Sequence, residues 1–139
     1  MSAADGAGAR VGIVLVSHSK QVAESVADLA RGLAGRDSAT VLGAGGTPDG
    51  GLGTSAELIT EAAHAADSGA GVAVLVDLGS AVLTVKALLA EGDELPERAE
   101  LVDAPLVEGA VAAAVAASAG AGLDAVVAAA REAYEFRKL

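Results

Sequence analysis

The histidine at position 18 stands where an apolar run ends. The segment VGIVLV at 11–16 precedes it, and Ser17 and Ser19 flank it. In open α/β sheets, ligands and reacting groups sit beyond the carboxyl ends of the strands. A helix predicted to begin directly after His18 adds free N–H groups suited to an anion. The pattern therefore predicts that this imidazole reacts with an anionic group such as phosphate.

The same residues also have an ordinary structural interpretation. A histidine at a strand end can be a cap or a partly buried polar group. Ser17 and Ser19 can cap the following helix or hydrogen-bond a bound phosphoryl group, and both roles are sterically compatible. Their small side chains leave space around the ring of His18 in either case.

Asp77 occupies the matching position at the end of a second apolar run, 71–76. If the sheet has the order 2-1-3-4, its first and third strands are neighbours, and Asp77 and His18 emerge side by side. A carboxylate that accepts the Nδ1 hydrogen of an imidazole fixes its tautomer and leaves Nε2 as the nucleophile. The alternative interpretation of Asp77 is an N-cap of the next helix, which does not exclude the pairing.

A glycine-rich segment spans Gly43 to Thr54. Glycines permit positive φ angles and close approach of backbone N–H groups to an anion. The segment lacks the Gly-Lys-Ser/Thr ending of a Walker loop, so it offers no lysine to a nucleotide phosphate. A flexible connection is the ordinary interpretation, but about ten structureless residues exceed the usual length, which favours a function.

The second histidine, His64, follows Glu61 by three residues on a predicted helix. The chain has no cysteine and no other histidine nearby in sequence, so we expect a surface residue and predict no metal site. The acidic residues around Pro96 are expected to form a solvated loop. They are Glu91, Asp93, Glu94, Glu97 and Glu100.

Short β-branched runs alternate with longer amphipathic ones along the chain, which is typical of a parallel sheet with crossover helices. The patterns predict an α/β fold: a three-layer sandwich with a central, mainly parallel sheet of order 2-1-3-4 and helices on both faces. Predicted strands are 11–16, 39–43, 71–76 and 99–103, and predicted helices are 19–34, 54–67, 80–91, 106–119 and 123–138. The third strand is apolar on both faces, so we expect it to be central.

The 139 residues fit one domain, predicted over 10–139 after a flexible tail at 1–9. Aromatic residues make up only 1%, so the core must consist of closely packed Ala, Val, Leu and Ile. The net charge of −10 argues against nucleic-acid binding, which depends on basic residues neutralising phosphates. Apolar stretches are too short for a membrane span, no secretory signal is visible and cysteine is absent, so we expect a cytoplasmic protein.

Four segments, in this order, carry a family resemblance: VGIVLVSHS at 11–19, GGTPDGGLGTS at 45–55, VLVDLGSAVLT at 74–84 and LVDAPLVEGA at 101–110. Together they resemble the mannose-type enzyme IIA domains, and among these the phosphohistidine domain, DhaM, of phosphotransferase-dependent dihydroxyacetone kinases. The mannose-transport branch typically has Gly-Gly-Ser/Thr-Pro soon after its aspartate. Here Asp77 is followed by Leu-Gly-Ser-Ala, which looks like the dihydroxyacetone branch.

The resemblance implies that His18 is the phosphorylated histidine and that Asp77 orients it. No cofactor and no metal are implied. The residues assigned to the lining of the phosphoryl site are Ser17, Ser19, Gly46, Thr47, Gly53, Thr54, Gly79 and Ser80.

The resemblance also implies partners. The phosphocarrier protein HPr, charged from phosphoenolpyruvate through enzyme I, would phosphorylate His18, which would pass the group to ADP on a second kinase subunit. A third subunit would bind the dihydroxyacetone that is finally phosphorylated. Some relatives carry HPr-like and enzyme I-like domains after this one, whereas this sequence ends before them, so we expect a separate donor protein. Related domains form homodimers, and small-residue helix faces suit a close contact.

Two other function classes compete with this interpretation. A histidine phosphatase or mutase would place arginine directly before the histidine, where this chain has Ser17, and only Arg10 and Lys20 lie near the motif. A transport-type enzyme IIA or a regulatory phosphohistidine module would also be phosphorylated on His18. The acceptor of the phosphoryl group distinguishes the last two from a kinase subunit.

Overall fold

The computed structural model describes residues 8–139, so the tail predicted for 1–9 lies outside the described residues except for Gly8 and Ala9. Its centre is a four-stranded, all-parallel sheet of order β2-β1-β3-β4, which confirms the predicted order and places the third strand inside the sheet. The strands are β1 (Gly12–Ser17), β2 (Val41–Gly45), β3 (Val72–Val76) and β4 (Ala99–Val102).

Within residues 8–139, five α-helices cover the two faces of this sheet, as predicted. They are α1 (Lys20–Ala34), α2 (Ala56–Ala66), α3 (Gly79–Glu91), α4 (Leu106–Ser118) and α5 (Leu123–Glu132). Core side chains of α1, α4 and α5 pack on one face, and those of α2 and α3 on the other. Among residues 8–139, no helix combines the length and the apolar composition needed to cross a bilayer.

The side chains of β1 contribute to the core on both faces of the sheet, as the three-layer arrangement requires. They alternate, so Ile13 and Leu15 enter the core under α1, α4 and α5, while Val14 and Val16 enter the core under α2 and α3. All four are fully buried, as expected for a parallel strand covered on both faces.

The second strand is Val41–Gly45 and not 39–43, the second helix begins at Ala56 and not at residue 54, and the last helix is shorter than predicted. The second strand begins at Val41 and not at residue 39, because the N–H of Ala39 donates to the hydroxyl of Ser118 at 2.8 Å before the pairing with β1 starts. The last helix ends at Glu132 and not at residue 138, and a 3-10 turn, Ala133–Glu135, follows. Tyr134, in that turn, donates its hydroxyl to Asp103 at 2.8 Å, a tertiary contact that helical periodicity does not encode.

The register of the two central strands positions the candidate site. β1 and β3 pair in parallel with Val16 opposite Val76. The next residues, Ser17 at the end of β1 and Asp77 directly after β3, therefore lie at the same level. The segment after β1 and the segment after β3 therefore lie next to each other at the carboxyl edge of the sheet.

Candidate functional site

His18 is held between the end of β1 and the start of α1. The N-cap of α1 is Ser19, whose hydroxyl accepts the N–H of Val22 at 3.2 Å. Of the two roles considered for Ser19, the structure shows the capping one. The cap fixes where the helix begins and hence where the chain turns at His18.

The carboxylate of Asp77 contacts both the ring and the backbone of His18. Its Oδ1 lies 3.0 Å from Nδ1, and its Oδ2 accepts the backbone N–H of His18 at 3.0 Å. Ser17 donates its hydroxyl to Oδ2 at 2.9 Å, and the N–H of Leu78 donates to Oδ1 at 2.7 Å. Each oxygen of this carboxylate therefore contacts two polar groups, which belong to the end of β1, to His18 and to Leu78.

The alternative interpretation of Asp77, an N-cap of the next helix, does not describe the observed geometry. The N-cap position of α3 is Leu78, and no side chain caps this helix. The Asp77 carboxylate instead binds the segment that follows β1.

These contacts set the charge of the carboxylate. Burial raises the pKa of Asp77, but hydrogen bonds from the backbone and ring of His18, from Ser17 and from Leu78 outweigh it and hold the pKa below its usual value. At neutral pH the group is therefore an anion that accepts the Nδ1 hydrogen. This tautomer leaves the lone pair of the imidazole on Nε2.

The free nitrogen faces the start of α3. Nε2 of His18 lies 2.5 Å from Oγ of Ser80, in the first turn of that helix. The side chain of His18 is 25% exposed and that of Asp77 18%, while Gly79 and Ser80 are exposed. The ring is thus anchored on its Nδ1 side and open to a docking molecule beside a helix amino terminus, where N–H groups lack intrahelical partners.

The glycine-rich loop hydrogen-bonds the backbone of Ser17 and His18. The N–H of Gly46 donates to the carbonyl of Ser17 at 3.1 Å, and the N–H of Gly53 donates to the carbonyl of His18 at 2.9 Å. Gly46 has φ 71°, which favours glycine. Gly46 and Gly53 therefore hold the segment around His18 with their backbones.

Gly45, at the end of β2, permits the close packing on which this arrangement depends. A Cβ atom at Gly45 would lie 2.3 Å from the carbonyl oxygen of Ser19. Only glycine allows the strand to pass this close to the start of α1.

The two threonines assigned to the site have other partners. Thr47 donates its hydroxyl to Asp49 and accepts the N–H of Gly51 at 2.9 Å, so it shapes the loop internally. Oγ1 of Thr54 lies 3.0 Å from Oγ1 of Thr84, which connects the end of the loop to α3. Within residues 8–139, neither hydroxyl hydrogen-bonds His18.

The buried hydroxyl of Ser17 differs from what the sequence indicated. It was considered as a cap or as a ligand of a phosphoryl group, but it is 1% exposed and bridges Asp77 and the N–H of Ser19. The signal that identifies this role is the strand register, which places Ser17 level with Asp77.

His64 lies apart from this site. Its Nε2 is 2.8 Å from the carbonyl oxygen of Glu94, and its side chain is exposed on α2. In the described part of the chain, no group of three or more potential metal-ligating side chains comes together.

A cleft of about 450 Å³, which sequence reasoning missed, adjoins Asp77 beyond the ends of β3 and β4. Its walls include Leu78 and two cations, Lys86 from α3 and Arg131 from α5. These cations are far apart in sequence, so no local motif revealed them. Asp77 and Gly79 line this cleft, whereas His18 does not, so the cleft adjoins the site through the segment that follows β3.

Comparison with known proteins identifies similar chains. The EIIA-man family, described as the PTS system fructose IIA component, matches residues 12–127. The chain is 37% identical over 131 residues to the "PEP-dependent dihydroxyacetone kinase, phosphoryl donor subunit DhaM" of Escherichia coli (strain K12), covering 92% of this chain and 28% of that protein. The chain therefore spans less than a third of the length of that relative.

A relative of similar size comes from Listeria innocua. It is the "PEP-dependent dihydroxyacetone kinase 2, phosphoryl donor subunit DhaM", 36% identical over 118 residues, which cover 84% of this chain and 94% of the relative. Among solved structures, a protein of unknown function, EF1359, is 33% identical and superposes with a TM-score of 0.77, covering 90% of this chain and 95% of that chain.

Proposed function

This chain belongs to the EIIA-man family, and on that premise we propose that it is the phosphoryl carrier of a phosphoenolpyruvate-dependent dihydroxyacetone kinase, acting through phospho-His18. The observation that carries the proposal is the contact of 3.0 Å between Nδ1 of His18 and the anionic Asp77. In the tautomer with the hydrogen on Nδ1, Nε2 carries the lone pair, and it lies 2.5 Å from Oγ of Ser80 at the start of a helix. The names of the relatives support the same role.

In the first transfer, the Nε2 lone pair attacks the phosphorus of the phosphohistidine on HPr. The P–N bond of the donor breaks and a new P–N bond forms at His18. The Nδ1 hydrogen stays between the ring and Asp77, so the carboxylate balances the positive charge that the ring acquires. Ser80 must turn its hydroxyl from Nε2 to an oxygen of the incoming group.

In the second transfer, an oxygen of the β-phosphate of ADP attacks the phosphorus, and Nε2 leaves with its lone pair restored. ADP is held on a partner kinase subunit and becomes ATP, which phosphorylates dihydroxyacetone on a third subunit. Asp77 contributes equally in both directions because it fixes the same tautomer before and after transfer. The cleft beside Asp77 gives a partner a concave surface to dock on.

The remaining parts of the proposal follow the family resemblance. We assign residues 10–139 to one mannose-type enzyme IIA-like domain, place the protein in the cytoplasm and expect a homodimer. The assigned lining residues whose atoms contact the segment 17–19 directly or form part of it are Ser17, Ser19, Gly46, Gly53 and Ser80.

The alternative function is a transport-type enzyme IIA or a regulatory module, which would share the phosphorylation of His18. The segment after Asp77, Leu-Gly-Ser-Ala, favours the kinase subunit. Against a phosphatase or mutase, no arginine or lysine in the described residues hydrogen-bonds His18, whereas a pocket for a free phosphate ester needs such groups.

The first experiment tests for the phosphohistidine. The purified protein is incubated with enzyme I, HPr and radiolabelled phosphoenolpyruvate, and acid-labile, base-stable label is measured. We expect His18→Ala to abolish labelling and the matched control His64→Ala to retain it, since these are the two histidines of the chain. Equal labelling of the His18→Ala protein would refute the proposal.

The second experiment identifies the acceptor. Adding the ADP-binding and dihydroxyacetone-binding subunits, with ADP and dihydroxyacetone, should drain the label and yield dihydroxyacetone phosphate. Label that stays on His18 under these conditions would favour transport or regulation over the kinase.

A further inference from the structure

The cleft beyond the ends of β3 and β4 has the size and the position of a small-molecule site. Its volume is about 450 Å³, which falls in the range of ligand pockets. Its apolar lining includes Val76, Val82, Leu101 and Val102. In open α/β sheets, ligands bind beyond the carboxyl ends of the strands, as this cleft does. The transfer through Nε2 of His18 requires no ligand inside it.

Two cations line this cleft from separate elements, Lys86 from α3 and Arg131 from α5. Within residues 8–139, neither of them forms an ion pair with a carboxylate. Four other cations of the chain are paired in this way, namely Arg10, Lys20, Arg31 and Lys138. A chain with a net charge of −10 thus places two cations without such partners at one concave surface, which favours an anionic ligand.

The two carboxylates that line the cleft hydrogen-bond other groups. Asp77 accepts hydrogen bonds from the segment around His18 and from Leu78. Asp103 accepts the hydroxyl of Tyr134 at 2.8 Å. Both carboxylates therefore lower the positive potential of the cleft, but neither pairs with its cations.

Tyr134 and Asp103 give one side of the cleft hydrogen-bond acceptors. The hydrogen bond to Asp103 raises the pKa of Tyr134, so the phenol keeps its hydrogen at neutral pH and donates it to Oδ1. Among the described residues, no further hydrogen bond engages the phenol oxygen or Oδ2 of Asp103. A hydroxyl group of a ligand can therefore donate to this side, while its anionic group contacts the cations.

We propose that this cleft binds a small phosphate monoester that carries a hydroxyl group, at a site separate from the phosphorylated histidine. A phosphate monoester has a charge of about −1.5 to −2 at neutral pH, which matches Lys86 and Arg131 together, whereas a monocarboxylate has about half of that charge. A guanidinium group also donates two parallel hydrogen bonds to phosphate oxygens. The inference goes beyond the proposed function and does not depend on phosphoryl transfer.

Other grooves of the described surface are less suited to such an anion. The groove between α2 and α3 contains no cation and is lined by Glu57, Glu61, Glu91 and Glu94. The groove beside the start of α1 includes Lys20, but Glu24 pairs with this lysine at 3.1 Å. The cleft with Lys86 and Arg131 is therefore the better site for a dianion.

Isothermal titration calorimetry of the unaltered protein tests the site. The probe is glycerol 3-phosphate, and the comparison compounds are glycerol, glycerate and inorganic phosphate. We expect glycerol 3-phosphate to bind at one site and about tenfold more tightly than glycerate or inorganic phosphate, because each of these lacks one set of hydrogen bonds. Glycerol should not bind. No binding of glycerol 3-phosphate at millimolar concentration, or equal affinity for glycerate, would overturn the proposal.

Substitution of the cations tests which groups hold the phosphate. Lys86→Gln and Arg131→Gln should each weaken the binding of glycerol 3-phosphate about tenfold or more, because each removes a charged donor. Both side chains are exposed, so the fold should persist, which circular dichroism checks. The matched control is Arg36→Gln, which removes an exposed cation beyond the far end of α1 and should bind like the unaltered protein. Equal affinity in all four proteins would refute the site.

Tyr134→Phe tests the side of the cleft that contacts the hydroxyl group. The substitution removes the phenol oxygen and keeps the ring. It should weaken the binding of glycerol 3-phosphate but not that of inorganic phosphate, which has no carbon-bound hydroxyl. Unchanged affinity for glycerol 3-phosphate would contradict the proposed orientation of the ester.

NMR spectra of the backbone amides locate the ligand. Titration with glycerol 3-phosphate should shift the amide signals of Val82, Lys86, Asp103 and Ala104 most strongly, because these residues line the cleft. Shifts confined to 17–19 would place the ester at His18 and overturn the proposal. Loss of phosphohistidine labelling with the cleft shifts retained would refute the proposed function and leave the ester site intact.

Discussion

Asp77 holds His18 by two different atoms of that residue. Oδ1 lies 3.0 Å from Nδ1 of the ring, and Oδ2 accepts the backbone N–H at 3.0 Å. Turning the ring away or shifting the end of β1 therefore disrupts contacts to the same carboxylate. This double contact keeps the imidazole in one orientation and one tautomer, which is what a repeated transfer through Nε2 needs.

Replacing Asp77 by Asn should slow phosphoryl transfer without unfolding the protein. The amide keeps the size of the carboxylate but no longer balances the charge of the phosphorylated ring or enforces the Nδ1–H tautomer. We expect the rate of labelling by HPr to fall on the order of 10²-fold, measured by rapid quench. Asp93→Asn, in the exposed acidic loop, is the control and should label at the rate of the unaltered protein. An unchanged rate in Asp77→Asn would remove Asp77 from the mechanism.

Asp77 should also make stability depend on pH. Because the folded-state pKa of Asp77 is lowered, its contribution is fully present above its unfolded pKa of about 3.9. The contribution is lost as the pH falls through the folded pKa. Urea unfolding of the unaltered protein and of Asp77→Asn should therefore give a free-energy difference that is constant near neutral pH and shrinks below about pH 4. A difference that grows with acidity would contradict the assigned hydrogen bonds.

Ser80→Ala should weaken retention of the phosphoryl group. Oγ of Ser80 lies 2.5 Å from Nε2 and is placed to donate to a phosphoryl oxygen after transfer. Because a hydrogen bond to a charged group contributes about 1.5–3 kcal/mol, the equilibrium between phospho-HPr and this protein should shift toward HPr by about tenfold or more. The equilibrium partition of label measures it. Ser80→Thr retains a hydroxyl and should restore the partition, and equal partition in all three proteins would exclude the role.

Gly45→Ala should destabilise the protein by forcing β2 and the start of α1 apart. The added methyl group would lie 2.3 Å from the carbonyl oxygen of Ser19, so β2 and α1 must separate. We expect a loss of about 1–3 kcal/mol in the free energy of unfolding by urea. Gly32→Ala, an open position in α1, is the matched control and should gain up to about 1 kcal/mol from helix propensity. Equal effects of the two substitutions would show that Gly45 is not tightly packed.

Local patterns predicted the fold well because they report burial. β1 and β3 are continuous apolar runs, and such runs belong to strands covered on both faces. The start of α1 at Ser19 was predicted from an equally local pattern. The end of α5 was not, because the contact of Tyr134 with Asp103 joins residues 31 positions apart.

The sequence by itself determined that a histidine and an aspartate end the two central strands, since apolar runs and the residues that terminate them are local properties of the chain. Only the tertiary structure decided which atoms meet. The pairing of Val16 with Val76 sets Ser17 and Asp77 level, and the loop glycines then hold the backbone of His18 in place. Register and side-chain burial depend on how separate elements pack, and that packing is a property of the whole fold.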